Sequence, residues 1–216
     1  MNSNLTEMVF ILDRSGSMSG LETDTIGGYN SLLEKQKKEE GDAVVTTVLF
    51  DDRYDMICDH ADIKKIRPMT EKEYYARGCT ALLDAIGRTI SHVGNRHKYA
   101  PDSEVPSKTM VVIITDGFEN ASNEFNLNKV KQMIENQKDK YNWEFLFLGA
   151  NIDAVQTAGT FGISADRAVT YQADSVGTRT NFSAVCNTVS DMRANRRIDE
   201  SWKCEIEKHK TEKSKN

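Results

Sequence analysis

Carboxylate and hydroxyl side chains alternate directly after the first apolar run of the sequence. Asp13, Ser15 and Ser17 follow Met8–Leu12 without a spacer. A second carboxylate, Asp116, stands just after another apolar run and is itself followed by glycine. Oxygen atoms of this kind are the ligands that hard divalent cations prefer in proteins. The residue types therefore indicate metal binding, although the same residues are also common in turns.

Apolar periodicity divides the chain into alternating strand and helix patterns. The predicted strands are Met8–Leu12, Ala43–Phe50, Tyr54–Cys58, Thr109–Thr115, Glu144–Leu148 and Ala168–Tyr171. The predicted helices are Ile26–Glu39, Ala81–Val93, Leu127–Tyr141, Ala154–Phe161 and Thr180 to about Lys208. This alternation predicts an α/β fold, with a doubly wound, Rossmann-like sheet of six mainly parallel strands and helices on both faces.

The chain order predicts how this sheet brings the oxygen ligands together. The connection at 51–53 is too short for a crossover helix, so the third strand is expected to form a hairpin with the second and to lie antiparallel at the sheet edge. In the predicted strand order 3-2-1-4-5-6, the first and fourth strands are neighbours where the order reverses, and ligands bind at such points. Asp13 and Asp116 are therefore expected to share one crevice.

A third loop adds Thr80, which stands directly before the helix predicted to begin at Ala81. Two carboxylates in one crevice repel each other, so a positive ion is expected between them. Oxygen ligands from three loops suit Mg²⁺ or Mn²⁺, with Ca²⁺ as a further alternative. Each residue also has a structural interpretation: the serines can cap a turn, Thr80 can cap the helix, and Asp116 can be a turn residue before Gly117.

The ordered set Asp13-x-Ser15-x-Ser17, Thr80 and Asp116 resembles the metal-ion-dependent adhesion site (MIDAS) of von Willebrand factor A (vWA) domains. The resemblance covers roughly residues 7–171 and is strongest to small stand-alone bacterial vWA proteins, a group that includes tellurium-resistance-type members. It implies that the three hydroxyl side chains lie near a metal, which the two aspartates hold directly or through water. It also implies a coordination position left for a protein partner, which supplies an Asp or Glu side chain or a C-terminal carboxylate.

These residues favour a protein-binding module over an enzyme. The chain has neither a G-x-S-x-G nor an H-E-x-x-H pattern, and no histidine adjoins the expected ligands. The alternative is a Mg²⁺-dependent phosphoryl-transfer enzyme, because an aspartate after the first strand can act as a nucleophile. A haloacid-dehalogenase-type phosphatase would carry a second aspartate where this chain has Ser15. Dinucleotide binding is disfavoured because no G-x-G-x-x-G follows the first strand.

The composition is that of a soluble globular protein, since 38% of the 216 residues are hydrophobic and 28% are charged. The net charge of −5 argues against nucleic-acid binding, and no apolar run approaches the ~20 residues that cross a membrane. The N-terminus lacks a secretory pattern and the four cysteines are dispersed, as in reduced proteins. A cytoplasmic location is therefore expected.

One vWA domain is predicted over residues 1–192, followed by a charged, basic end at 193–216. That end contains eight Lys or Arg and five Asp or Glu, hence a charge of +3, which leaves −8 on the rest of the chain. We interpret it as a solvated end of the last helix, with a docking tail as the alternative.

Residues around the expected site carry subsidiary predictions. The candidates for a rim around the metal are Glu22, Tyr75, Glu119 and Asn151. The acidic residues of the predicted hairpin, which are expected to keep an edge strand soluble, are Asp51, Asp52 and Asp55. Cys79 is expected to fill space beside Thr80. The four histidines show no ligand spacing and are expected at the surface.

Overall fold

Six strands form one sheet in the part of the chain that the computed structural model describes, residues 1–213. The strands are β1 (Asn2–Asp13), β2 (Asp42–Phe50), β3 (Tyr54–Asp62), β4 (Pro106–Thr115), β5 (Glu144–Ala150) and β6 (Ala168–Tyr171). Their order is β3-β2-β1-β4-β5-β6, and every neighbouring pair is parallel except the β2–β3 hairpin. The predicted fold class is confirmed, including the antiparallel strand at the edge.

Helices cover both faces of this sheet. Their bounds within residues 1–213 are α1 (Glu22–Gln36), α2 (Leu82–Tyr99), α3 (Leu127–Tyr141), α4 (Ala154–Thr160), α5 (Ser175–Arg193) and α6 (Cys204–Lys213). Helices α1 and α5 pack on one face, whereas α2, α3 and α4 pack on the other. Over the same residues, no helix combines the length and the apolar character that crossing a bilayer requires.

The central strand β1 is buried on both faces, which explains its uninterrupted apolar sequence. Met8 and Phe10 belong to the core under α1 and α5, whereas Val9 and Ile11 belong to the core under α2 and α3. Because side chains of β1 pack into both cores, the position of its last residue, Asp13, is fixed at the start of the following loop.

The C-terminal region differs from the predicted single helix between Thr180 and about Lys208. Helix α5 begins earlier, at Ser175, where the side chain of Asp174 caps the first turn. It ends at Arg193, after which the chain turns through Asn195 with a φ of 58°. The prediction of one continuous helix is therefore wrong, and α6 is a separate element.

Arg193 fixes the end of α5 to the end of α1. Its guanidinium donates hydrogen bonds of 2.7–3.3 Å to the carbonyl oxygens of Gln36, Glu39, Glu40 and Gly41. Gln36 is the last residue of α1, and the other three residues lie in the connection to β2, so this one side chain joins α5 to the end of α1 and to the turn that follows it. A sequence interpretation that takes residue 193 as the start of a solvated end cannot anticipate this contact.

The turn before α6, and α6 itself, pack against the rest of the fold. The Trp202 indole N–H donates to the Asp166 carbonyl at 2.7 Å, and Lys203 Nζ donates to the Ala165 carbonyl at 2.9 Å. Ile206 of α6 is buried in the core. The packing of Ile198, Lys203 and Ile206 was not expected for a solvated helix end, although most residues between 193 and 213 are exposed. Residues 214–216 lie outside the described residues. The domain boundary at residue 192 stays a prediction.

Glu7 is a buried carboxylate six positions before Asp13 on β1. Its Oε1 lies 3.2 Å from His60 Nδ1, and its Oε2 lies 2.6 Å from His97 Nε2. Arg96 adds a hydrogen bond of 3.3 Å to Oε1. Burial disfavours the charged carboxylate, but the two histidines outweigh it and lower the pKa of Glu7 to about 2. The prediction of surface histidines is wrong for His97, because a buried carboxylate requires nearby donors.

Candidate metal centre

Asp13 is buried at the end of β1, where the first of three loops begins. Its Oδ1 accepts a hydrogen bond from the Ser15 N–H at 2.7 Å, and its Oδ2 accepts one from the Thr115 hydroxyl at 2.5 Å. Thr115 is the last residue of the neighbouring strand β4. The carboxylate is thus held at two adjacent strand ends, at the reversal of strand order. Sequence analysis missed Thr115, although its position directly before Asp116 was a signal.

Hydroxyl groups connect the first loop to the loop after β4. The Ser15 and Ser17 Oγ atoms lie 3.0 Å apart, and the Ser17 hydroxyl donates to Asp116 Oδ1 at 2.5 Å. Ser15 and Asp116 are buried, whereas Ser17 is exposed. The structure therefore brings these three predicted site residues together, and Ser17 is the most exposed of them.

Thr80 faces the same space from the third loop. A Cβ atom built on Gly117 would lie 3.6 Å from Thr80 Oγ1 and 3.5 Å from Ser17 Oγ. The two hydroxyls therefore converge above Gly117, and a larger side chain at this position would occupy the space between them. The glycine keeps that space available for an ion or a ligand.

The cap interpretation of Thr80 is wrong. The N-cap residue of α2 is Ala81, and the first-turn N–H groups of residues 83 and 84 donate to the side chains of Glu119 and Ser122 at 2.8 and 3.0 Å. Because these side chains serve the helix end, the Thr80 hydroxyl is not used there.

The electrostatics of the two carboxylates favour a cation. Burial, together with the nearby charge of Asp116, raises the pKa of Asp13 from 3.8 to about 6. Burial also raises the pKa of Asp116. Both groups therefore resist ionisation in the absence of positive charge, and a divalent ion between them would reverse that tendency.

The donor set fits a hard cation that binds oxygen. Over residues 1–213, no group of three or more His, Cys, Asp or Glu side chains is placed to hold a metal. A metal at this centre would have two such side chains, Asp13 and Asp116, and would be held by them together with hydroxyl oxygens. Carboxylate and hydroxyl ligands, supplemented by water, match the preferences of Mg²⁺, Mn²⁺ and Ca²⁺.

An ion-pair cluster connects the loop after β1, the β2–β3 hairpin and the loop before α2. Arg14 Nε and Arg77 Nε donate to Asp51 Oδ2 at 2.9 and 2.6 Å, and both guanidinium groups also reach Asp55. The Tyr75 ring lies 5.6 Å from the Arg14 guanidinium and 5.0 Å from that of Arg77. The prediction that these acids only keep an edge strand soluble is wrong for Asp51, because it is buried and paired with two arginines.

Two of the residues predicted to surround the centre are exposed, as is one residue close to Asp116 in the sequence that sequence analysis missed. Tyr75 is 43% exposed, and Asn151 is exposed while its Nδ2 donates to the Asp116 carbonyl at 3.3 Å. Glu119 instead turns inward to α2. Phe118 was missed, because one aromatic residue in a loop has no periodic pattern, yet its side chain is 65% exposed two positions after Asp116.

The structure also gives the positions of Glu22 and Cys79, for which the sequence made predictions. Glu22 lies on the first turn of α1, where its Oε2 accepts a hydrogen bond from the Gly20 N–H at 2.6 Å. Cys79 is exposed, so the expectation that it fills space beside Thr80 is wrong.

Solved structures place the fold among known proteins, whereas no protein-family model and no curated protein sequence matches the chain. The chain is similar to a von Willebrand factor type A protein from Catenulispora acidiphila, with 16% identity and a TM-score of 0.55 over 87% of this chain and 43% of that chain. The chain has the vWA fold. At this identity the similarity shows the fold alone.

Two other vWA-related structures extend the comparison. Proximal thread matrix protein 1 from the mussel byssus has 15% identity and a TM-score of 0.57 over 87% of this chain and 46% of that chain, in a structure with a zinc-occupied MIDAS motif. The ArnB paralog VWA2 from Sulfolobus acidocaldarius has 17% identity and a TM-score of 0.50 over 88% of this chain and 45% of that chain. This chain spans less than half of each of these proteins. The finer resemblance to tellurium-resistance proteins has no support among them.

Proposed function

We propose that this chain is a metal-dependent protein-binding module. The observation that carries the proposal is the convergence of two buried aspartates and three hydroxyl side chains where the order of the sheet reverses. The proposed metal ligands, directly or through water, are Asp13, Ser15, Ser17, Thr80 and Asp116. The zinc-occupied MIDAS motif of the structurally similar mussel protein supports a divalent cation.

Mg²⁺ is the proposed ion, with Mn²⁺ and Ca²⁺ as alternatives, because every candidate ligand is a hard oxygen. Two aspartates only balance the charge of a divalent ion, and neutral hydroxyls add no negative charge. The bound ion would therefore keep its attraction for a further anion. We propose that a protein partner supplies this anion as an Asp or Glu side chain or as a C-terminal carboxylate.

The exposed rim gives such a partner additional contacts. Tyr75 and Phe118 offer aromatic surface on two different loops, and Asn151 offers an amide. Aromatic residues beside one central charged contact are typical of the parts of an interface that contribute most binding energy. A carboxylate alone would bind weakly, so this rim determines which partners bind.

The phosphoryl-transfer alternative receives less support. Position 15 holds a serine, so the second aspartate of that enzyme class is missing. The proposed role is therefore binding without catalysis.

Four free cysteines support a cytoplasmic setting.

Calorimetric titration with MgCl₂ tests the metal centre directly. Wild-type protein is expected to bind one ion, and Ser17→Ala is expected to weaken binding by about 10-fold or more. Ser19→Ala is the matched control, because Ser19 lies on the same loop outside the proposed ligand set. If the wild type binds neither Mg²⁺ nor Mn²⁺ nor Ca²⁺ at millimolar concentration, the proposed function is wrong.

A further inference from the structure

Asn120, in the loop after β4, forms hydrogen bonds with Thr80, which lies two positions before α2. Its backbone N–H donates to the Thr80 carbonyl at 3.0 Å, and its side-chain Oδ1 accepts from the Thr80 N–H at 2.9 Å. One residue thus holds both backbone groups of a partner 40 positions away. If the Asn120 side chain were removed, the Thr80 N–H would lose its acceptor, and because Thr80 is buried, water would not readily replace it.

The geometry of Thr80 depends on these contacts. The next residue, Ala81, is fixed as well, because its N–H donates to the Asp51 carbonyl at 2.9 Å. The backbone direction at Thr80 determines where its Cβ and hydroxyl point, and the hydroxyl points to the space above Gly117. A small rotation of this peptide would therefore move a proposed ligand away from the ion.

The rest of the loop is held without the Asn120 side chain. Glu119 Oε1 accepts from the N–H groups of residues 121 and 122 at 3.0 and 2.7 Å. Asp84 accepts from the N–H groups of residues 123, 124 and 125 at 2.8–2.9 Å. Removing the side-chain amide of Asn120 leaves all these bonds in place, so its specific contribution is made at Thr80.

We infer that Asn120 is a positioning residue whose side-chain oxygen directs the Thr80 hydroxyl toward the cation, an inference that rests on the proposed metal centre. The essential feature is an acceptor of the right length. An amide supplies this acceptor without placing a third negative charge beside Asp13 and Asp116.

Three variants test this role. Asn120→Ala removes the acceptor, Asn120→Asp keeps an acceptor of the same length, and Asn123→Ala is the matched control. The Asn123 side chain lies on the same loop but donates to the Ala121 carbonyl and does not reach Thr80. Two readouts are combined: the Mg²⁺ dissociation constant from calorimetry, and hydrogen exchange of the Thr80 amide in metal-free protein.

Asn120→Ala is expected to weaken Mg²⁺ binding by about 10- to 100-fold, the usual effect of removing a group that orients a metal ligand. The same variant is expected to accelerate hydrogen exchange of the Thr80 amide. Asn120→Asp is expected to retain both the slow exchange and the Mg²⁺ binding of the wild type. Asn123→Ala is expected to match the wild type in both measurements.

Several results would overturn the inference. If Asn120→Ala binds Mg²⁺ like the wild type while the wild type does bind it, the positioning role is wrong and the metal centre stands. Equal weakening by Asn120→Ala and Asn123→Ala, or an Asn120→Ala chain that no longer folds, would assign Asn120 a general structural role instead. If the wild type binds no ion, the metal centre and this inference fail together.

Discussion

The Ser17 hydroxyl donates a 2.5 Å hydrogen bond to Asp116 Oδ1, across 99 positions of the sequence. In the absence of an ion, this bond satisfies one oxygen of a buried carboxylate. A cation at the centre would attract both the Ser17 Oγ atom and Asp116 Oδ1. We therefore expect metal binding to replace the hydrogen bond between these two atoms. The two loops are therefore already close together before an ion arrives, and little ordering of the chain opposes binding.

Magnesium is expected to stabilise the fold. At about 100 times its dissociation constant, an ion that binds only the folded state adds about 2.7 kcal/mol to the free energy of unfolding. For a chain of this length the melting temperature should rise by about 5–10 °C. Thermal melts with MgCl₂ and with EDTA measure this difference. An unchanged melting temperature at saturating Mg²⁺ and Mn²⁺ would contradict the proposed centre.

Asp13→Asn is expected to abolish the metal response while leaving the metal-free fold at least as stable as the wild type at neutral pH. The amide keeps an oxygen that can accept from the Ser15 N–H, and it removes a buried charge beside Asp116. Melts of wild type and variant in EDTA compare the two stabilities. A variant that fails to fold without metal would show that the Asp13 charge itself supports the structure.

The stability of the metal-free protein is expected to depend on the protonation of Asp13. Folding raises the pKa of this carboxyl from 3.8 to about 6, so the folded state binds the proton more tightly. Stability from this group is therefore present below pH 4 and is lost as the pH rises through 6. The two-unit shift corresponds to about 3 kcal/mol.

Urea unfolding in EDTA at pH 4 and pH 7 measures this effect, with Asp13→Asn as the control for all other titrating groups. The wild type is expected to lose stability relative to the variant between these two pH values. Saturating Mg²⁺ at pH 7 should remove the loss. A constant difference between wild type and variant at both pH values would contradict the raised pKa.

Glu7→Gln is expected to lower the free energy of unfolding by about 3 kcal/mol at neutral pH, because it leaves His97 and Arg96 without their shared charge. Glu7 lies six residues, about 20 Å, before Asp13 along β1, so Mg²⁺ affinity should not change. Urea unfolding and calorimetry measure the two quantities separately. A loss of Mg²⁺ affinity equal to that of Ser17→Ala would show that the two regions are coupled.

Partner binding is expected to require both the ion and an exposed aromatic rim. Capture of a partner should need divalent cation, end on addition of EDTA, and weaken by about 10-fold or more in Phe118→Ala, whose side chain contacts solvent rather than the core. Val155→Ala, an exposed apolar residue on α4, is the control.

The carboxylates of a captured partner provide the sharper test. Each interface Asp or Glu is changed in turn to its amide, and a free C-terminal carboxylate is amidated. One of these changes is expected to weaken binding by at least 10-fold, because the ion needs a negatively charged oxygen. If none does so by more than threefold, recognition does not pass through the metal.

The strand order could be predicted because it depends on local features. Continuous apolar runs identify strands that are buried on both faces, and the three residues between β2 and β3 permit only a hairpin. The same logic places Asp13 and Asp116 at adjacent strand ends. Their types and positions are sufficient, since a parallel sheet directs the C-terminal ends of its strands to one edge.

The contacts that support the site could not be predicted in this way. Asp51 meets Arg14 and Arg77 across 37 and 26 positions of the sequence, and no periodic pattern reports such a pairing. Asn120 is recognised only when the distance to Thr80 is known. Acidic and amide residues in loops are ordinarily solvated, so only tertiary structure distinguishes the ones that hold a neighbour.

The turn before α6 has a consequence for how copies of this chain meet one another. Lys203 Nζ donates to the Ala165 carbonyl at 2.9 Å and reaches the Ala168 carbonyl of β6, the last strand in the sheet order, at 3.5 Å. A terminal strand with unoccupied backbone groups is a template on which another chain can add a strand and begin a fibre. Here a lysine side chain occupies a carbonyl at the start of that strand, which hinders such growth.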